Sequence, residues 1–201
     1  LFPHPHKMSK VLSRYFSHMH YVDQCLKDFF EQLKKNGLLE KSIVAIYGDH
    51  DAEMQDEPAL RSFLNSNETG AFARRRIDRV PLFIVFPHHE FTGDILEPGG
   101  HMDIAPTVLY YLGIKQPLSF MGSPVLPGRN QIVLFSNPWG AAVTKDLCYV
   151  EGKCLAFPSL KTLPPQSCND LRRESERQLH FSEDVAVYNL VPAINARDKD
   201  A

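Results

Sequence analysis

Apolar residues recur at three- and four-residue spacing from Ser9 onward: Leu12, Tyr15, Phe16, Met19, Val22, Leu26, Phe29, Phe30 and Leu33. That period predicts a long helix with one apolar stripe. Lys34 and Lys35 complement the C-terminal end of its dipole, and Gly37 supplies a natural cap. Before the helix, Leu1-Phe2-Pro3-His4-Pro5-His6 reads as extended coil, because each proline pushes its predecessor out of the helical region. After it the period changes. Ile43–Tyr47 is a continuous apolar, largely β-branched run, the pattern of a strand buried on both faces, and it ends in Gly48-Asp49-His50-Asp51.

Residues 52–79 are polar and nearly aperiodic, an excursion with at most a short helix that carries Arg74-Arg75-Arg76. Leu82–Phe86 is a second buried-strand pattern, stopped by Pro87. Beyond a Gly-rich loop, Asp103 is expected to cap a helix through Pro106, Val108, Leu109 and Leu112 to Gly113, with Pro106 in the tolerated first turn. Ile132–Phe135, Ala141–Tyr149 and Leu155–Phe157 then read as short strands, antiparallel because their links are too short for crossovers. Asn169–Leu179 is a last helix and Val185–Leu190 a final extended segment. Helix alternating with strand, followed by short strands, describes an α/β sheet with a small β appendage.

Composition narrows the class. Hydrophobic residues make up 43% and charged residues 23% of 201, as in ordinary globular chains, which excludes a disordered tail or a disulfide-dense miniprotein. A net charge of −2 leaves no electrostatic footprint for nucleic acid. The apolar runs are too short to span a bilayer. Of four cysteines, Cys25 falls within the helical pattern and reads as a small core residue, while Cys148 and Cys154 bracket a hairpin-like stretch. A Cys148–Cys154 bridge and a Cys154–Cys168 bridge are both open.

The candidate chemistry gathers at strand and helix ends. In open α/β sheets ligands collect at the carboxyl ends of strands, which is where Gly48-Asp49-His50 falls. A carboxylate beside an imidazole suits Mn²⁺, Zn²⁺ or Mg²⁺; the same residues also suit a turn in which Asp49 caps backbone amides. His101, in Gly99-Gly100-His101-Met102-Asp103, stands where it could face an anion bound at a helix start, but a plain loop histidine is the preferred reading. His88 and His89 point to opposite faces of an extended chain, and His18 and His20 to different faces of the helix, so neither pair makes a metal site. The arginine cluster could attract phosphate or anionic lipid, but a solvated run is the preferred reading. The nucleophile elbow, the P-loop and the dinucleotide glycine fingerprint are absent.

Several segments, in order, resemble a known family. Tyr15-Phe16 through His20-Tyr21-Val22-Asp23-Gln24, Leu33–Leu38 and Ile43–His50 look like the helix, strand and Gly-Asp-His turn of phosphoglycerol transferases of the lipoteichoic acid synthase type, sulfatase-like members of the alkaline phosphatase superfamily. His101–Leu109 with Leu112-Gly113-Ile114 continues the likeness, as do Phe120-Met121-Gly122, Asn130–Val133, Lys145-Asp146, Tyr149–Lys153, Gln178-Leu179 and Ser182-Glu183-Asp184.

That resemblance implies an α/β, sulfatase/alkaline phosphatase-like sheet sandwiched by helices, with residues 1–125 as the C-terminal half of the catalytic core and 126–201 as a small antiparallel β sub-domain with a terminal helix. It implies transfer of a phosphoglycerol-type group from a phospholipid head group to an envelope polymer or glycan, through a threonine nucleophile. A divalent metal, most often Mn²⁺ with Zn²⁺, Ca²⁺ or Mg²⁺ as alternatives, activates the threonine and holds phosphoryl oxygens. Asp49 and His50 match the family's metal ligands, and His101 is a candidate substrate-binding residue. The threonine, a glutamate ligand and a substrate histidine are expected upstream of this chain, so the upstream half of the catalytic domain is an expected partner and the isolated chain is expected to be inactive. As half a domain it should leave a sheet edge or apolar face uncovered. The expected location is the extracytoplasmic face of the membrane, anchored by a segment outside these residues. Two positions depart from the pattern: His101 where the synthases tend to carry glutamine, and Asp51 where the superfamily often has glycine. Two alternatives are a sulfatase or phosphodiesterase that uses water as acceptor, and a non-catalytic module that keeps the fold.

Overall fold

The computed structural model describes residues 9–50, 62, 79–117, 119–135 and 139–198. The predicted polar excursion, including Arg74-Arg75-Arg76, lies outside these residues apart from Ser62 and Arg79, as do Asp51, His4 and His6. The chain divides into two units, Leu1–Thr92 and Gly93–Ala201. The boundary expected at residue 125 falls within the second unit.

In the first unit, helix α1 spans Lys10–Lys35. Its start follows from Ser9, whose hydroxyl accepts from the Leu12 amide at 3.2 Å. Its end follows from Asn36 and from Gly37 at φ +64°, the left-handed conformation that glycine adopts without a Cβ penalty. Leu12 is the buried residue of the stripe, whereas Met19, Val22 and Phe29 are each more than 40% exposed. Cys25, expected in the core, is exposed. It sits one helical turn from Tyr21, whose hydroxyl titrates above its usual range because of a hydrogen bond with Cys25.

Strands β1 (Val44–Tyr47) and β2 (Leu82–Val85) form an antiparallel pair with Val44 opposite Val85 and Tyr47 opposite Leu82. The predicted burial on both faces is not found: Tyr47 is 50% and Phe83 60% exposed. A continuous apolar run reports that a strand can be covered twice; what covers it must come from elsewhere in the fold. After β2 the chain turns at Pro87–His89, with His88 and His89 both at positive φ. His88 Nδ1 lies 2.8 Å from Glu40 Oε2, a tie between two connecting segments.

In the second unit, helix α2 spans His101–Tyr111 with Gly100 as N-cap. Asp103, expected at the cap, instead occupies the third helical position and reaches back: its Oδ2 accepts from the Gly100 amide at 2.9 Å. Pro106 consequently lies in the second turn, so the Met102 carbonyl lacks its usual partner four residues on. Gly122 packs against that carbonyl so closely that a Cβ there would lie 2.0 Å from its oxygen.

The predicted antiparallel appendage is a five-stranded meander in the order β3 (Val133–Phe135), β4 (Ala141–Val143), β5 (Leu147–Val150), β6 (Lys153–Ala156) and β7 (Thr162–Leu163). The single strand expected over 141–149 is two, because the Thr144 hydroxyl accepts from the Leu147 amide at 3.0 Å and closes a turn. The β5–β6 hairpin turns at Glu151 and Gly152, both at positive φ.

Its register resolves the cysteines. Cys148 faces Leu155 and Tyr149 faces Cys154, so Cys148 and Cys154 project from opposite faces of the sheet and cannot bridge. The bond joins Cys154 to Cys168, and Cys148 is a buried thiol.

Helix α3 runs from Asn169 to Val187 and packs on β4, where the fully buried Ser175 hydroxyl donates to the Gly140 carbonyl at 2.9 Å. Of residues 185–190, expected as an extended segment, 185–187 end this helix and 188–190 turn away from it. Val185 is buried on its inner face, and the Leu190 amide returns to the Val185 carbonyl at 3.0 Å around Asn189 at positive φ. A short helix α4, Val191–Asp198, follows. Helices with two antiparallel sheets make this an α/β fold of the expected class.

Candidate functional site

Asp49 and His50 follow directly from β1. Gly48 is required there by close approach: its amide donates to the Pro81 carbonyl at 3.1 Å, and a Cβ on it would lie 2.8 Å from Val80 Cβ. The strand therefore ends in a turn pressed against the segment before β2, and the two following side chains project outward. Their side chains are 86% and 71% exposed respectively.

Asp49 Oδ1 accepts from the His50 amide at 3.0 Å, so the capping role predicted for Asp49 as a plain turn residue is present. Its other oxygen, Oδ2, lies 3.7 Å from His50 Nε2, beyond hydrogen-bond distance. That separation is shorter than the span of two metal–ligand bonds, about 4 Å for one nitrogen and one oxygen donor. The distance therefore leaves Oδ2 and Nε2 as candidate donors to one divalent ion. Among the described residues no group of three or more His, Cys, Asp or Glu side chains could hold a metal ion.

His101 is the first residue of α2, exposed on the rim of a cleft of about 710 Å³ within the second unit. Asp103 organises the wall beneath it. The carboxylate is buried and accepts from Gly100 N at 2.9 Å, Ser123 N at 2.8 Å and Gln131 Nε2 at 3.3 Å. One turn on, the buried Thr107 hydroxyl donates to the Asp103 carbonyl at 2.6 Å and accepts from the Val125 amide at 2.9 Å. These bonds pin the 123–125 segment to α2. Gln131 Nε2 also donates to the Pro98 carbonyl at 2.9 Å, which fixes the amide and leaves its Oε1 buried without a hydrogen-bond partner.

Two arginines stand on the cleft, and neither was singled out by sequence spacing. Arg129 ends a turn closed by its amide to Leu126 O at 3.2 Å and by Gly128 N to the Glu97 carboxylate. That backbone bond holds the Glu97 carboxyl below its usual range. Arg177, on α3, grips Glu174 with Nε at 2.9 Å and Nη2 at 2.6 Å. The grip, aided by Gln178, pulls the Glu174 carboxyl down to about 2 and pushes the arginine up.

Residues 3–114 match the sulfatase family, and the chain belongs to that family. Within it, the chain is similar to lipoteichoic acid synthases. It is 30% identical over 201 residues to the lipoteichoic acid synthase of Staphylococcus saprophyticus, an alignment covering 98% of this chain and 30% of that protein. It is 32% identical over 152 residues to lipoteichoic acid synthase 2 of Bacillus subtilis, covering 71% and 22%. It is 29% identical over 185 residues to the lipoteichoic acid synthase-like YvgJ of the same organism, covering 88% and 29%. The chain therefore spans under a third of the length of these curated relatives.

Proposed function

We propose that the chain is part of a metal-dependent enzyme that transfers a phosphoglycerol-type group from a phospholipid to an envelope polymer or glycan. The carrying observation is the ordered likeness to lipoteichoic acid synthases along nearly the whole chain, with Asp49-His50 at a strand end. In this reading Asp49 Oδ2 and His50 Nε2 hold the metal, Mn²⁺ first, with Zn²⁺, Ca²⁺ or Mg²⁺ as alternatives. Such an ion, when bound, offsets charge on phosphoryl oxygens and lowers the pKa of a hydroxyl nucleophile. The nucleophilic threonine and the remaining ligands belong to the part of the protein outside this chain, so the chain alone is expected to be inactive.

The placement of these residues supports the reading. Gly48 fixes the strand end, and the His50 amide orients the Asp49 carboxylate through Oδ1, which leaves Oδ2 for the ion. The exposed apolar side chains of the first unit, Tyr21, Tyr47 and Phe83 among them, are read as the seat of the upstream half of the catalytic domain. The division into a core of residues 1–125 and a β-rich sub-domain of 126–201 is proposed for the complete protein; the family match ending at residue 114 and the meander beginning at Val133 support it.

The Cys154–Cys168 disulfide supports an oxidising, extracytoplasmic location. Among the described residues no helix is long and apolar enough to cross a membrane. The family match also supports a hydrolase that uses water as acceptor, and the nature of the acceptor separates the two.

The test is elemental analysis of the full-length protein with and without Asp49→Ala, followed by release of glycerol phosphate from phosphatidylglycerol vesicles. Bound metal that falls at least tenfold on substitution, with head-group transfer to a polyol acceptor, is the expected result. Metal content unchanged by the substitution, or transfer unaffected by chelation, overturns the assignment.

A further inference from the structure

Three of the four cysteines belong to the second unit, and the pair that bonds is not the pair closest in sequence. Cys148 and Cys154 are six residues apart across the β5–β6 turn, whereas the bond joins Cys154 to Cys168 over a separation of 14. By loop-closure entropy the shorter link closes about three- to fourfold faster in the unfolded chain. A single residue of register forbids it in the finished sheet. Cys148 pairs with Leu155 and Tyr149 with Cys154. Sliding one strand past the other by one residue would set Cys148 opposite Cys154 on a shared face.

Packing selects the native register and then seals it. Cys148, Val150 and Leu155 share one face and are all buried, and the slip would part the two β5 residues from Leu155. Cys168 ends the short helical turn Pro165–Cys168 that leads into α3, and its Sγ lies 3.8 Å from the Cys148 carbonyl oxygen. The third sulfur therefore comes to rest beside the backbone of the residue it replaces as a partner of Cys154. With Cys154 and Cys168 each 1% exposed and Cys148 4% exposed, thiols from solution have no approach once the unit has closed.

We propose that Cys148 is a transient bonding partner of Cys154, displaced by Cys168 as α3 docks, and that the disulfide is supplied by a thiol–disulfide oxidoreductase. Cys154 first forms a mixed disulfide with that enzyme. The Cys148 thiolate attacks Cys154 Sγ, the Cys148–Cys154 bond forms, and the enzyme's sulfur leaves as a thiolate. The two chain thiols lose two electrons and two protons, and the enzyme's disulfide becomes a dithiol. The Cys168 thiolate then attacks Cys154 Sγ. The Cys154–Cys168 bond forms, the Cys148–Cys154 bond breaks, and Cys148 leaves with the electron pair and takes a proton. That exchange consumes no further oxidant. Burial afterwards makes Cys148 inert, because exchange requires an accessible thiolate. The inference stands apart from the group that the enzyme transfers.

The experiment follows the full-length protein in a secreting host. A short isotope pulse is quenched with acid at intervals, thiols are blocked with N-ethylmaleimide, and tryptic peptides are read by mass spectrometry. Lys145, Lys153, Lys161 and Arg172 place the three cysteines on separate peptides, 146–153, 154–161 and 162–172. In the earliest samples the link 146–153 to 154–161 is expected to exceed the link 154–161 to 162–172 about three- to fourfold. The first link should then fall as the second rises, with the number of blocked cysteines constant. Cys168→Ala should hold the first link as its end state, a readout that does not require the variant to fold. Three results overturn the proposal: the link to 162–172 alone from the earliest sample, Cys148 and Cys154 both blocked in Cys168→Ala, or an intermediate that joins Cys154 to the Cys25 peptide, 15–27.

Discussion

Asp103→Ala removes one carboxylate and, with it, three hydrogen bonds that join otherwise distant parts of the second unit. The donors are the Gly100 amide at 2.9 Å, the Ser123 amide at 2.8 Å and Gln131 Nε2 at 3.3 Å. The two amides have no other acceptor offered to them by alanine, while Gln131 keeps its bond to Pro98. Bonds to an ionised acceptor contribute about 1.5–3 kcal/mol each. Three at the low end sum to about 4–5 kcal/mol. Removing the cost of burying the carboxylate itself brings the net loss to about 3–4 kcal/mol.

Asp103→Asn keeps the shape but sets an NH₂ group against at least one N–H donor, so about half that loss is expected. Urea unfolding followed by circular dichroism measures both. With a slope of about 2 kcal/mol/M, the midpoint should fall by roughly 1.5–2 M for alanine and by about half as much for asparagine. Faster hydrogen exchange at the Ser123 amide should accompany the shift, since that group loses its acceptor. Losses of about 0.5 kcal/mol or less for both variants, the range of an ordinary surface change, would refute the carboxylate as a tie.

Two further outcomes follow from local geometry. Gly122→Ala sets a methyl 2.0 Å from the Met102 carbonyl oxygen and 2.9 Å from the Asp103 amide. Backbone cannot yield as a flexible side chain does, so a loss of more than about 2 kcal/mol is expected in the same urea assay; a neutral result would place the 120–123 loop further from α2. The Glu174 carboxyl, drawn down to about 2 by Arg177 and Gln178, is depressed in the folded state. The stability it contributes is therefore present above its ordinary value of 4.5 and lost as pH falls from there toward about 2. With side-chain exposure of 35% for Glu174 and 67% for Arg177, solvent screening keeps that contribution small. Carbon-detected NMR titration should show the Glu174 midpoint returning toward its ordinary value in Arg177→Gln; an unmoved midpoint would refute the pairing.

Legibility in the sequence divided along the range of the interactions. Helix α1 was readable to within a residue because Ser9, the three-and-four spacing and Gly37 all act locally. The β5–β6 hairpin was readable for the same reason. For Asp49 and His50 the strand end was readable, since β1 stops at Tyr47 just before them. Asp103 was misassigned as a cap, since the third position of a capping box and the cap itself look alike when the partner is the Gly100 backbone. Its other partners, Ser123 and Gln131, lie 20 and 28 residues away, and no local signal marks them. Val185–Leu190 carries valines at alternate positions and reads as extended. Burial of Val185 against the unit's interior and the turn at Asn189 override that propensity. The split at Thr144 was missed because a hydroxyl accepting from an amide three residues on leaves no trace in hydrophobic period.

The described residues of the first unit combine two shortages of the same kind. Its strand pair leaves Tyr47 at 50% and Phe83 at 60% exposed, and its helix leaves Tyr21 at 71%. Its candidate metal pair offers two donors where a catalytic divalent ion takes at least three protein ligands. Apolar surface of this extent favours a protein surface over water at about 25 cal/mol per Å², and a two-donor pair favours any segment that brings a carboxylate or imidazole to it. A single further segment of the complete protein, packed on the sheet and passing the end of β1, would satisfy both at once, since Asp49 directly follows the Gly48 that ends that strand. Coupling is the consequence. Phe83→Ser, remote from the ligands, should then lower metal content in the full-length protein together with Asp49→Ala, whereas apolar burial and metal binding that vary independently would assign them to different segments.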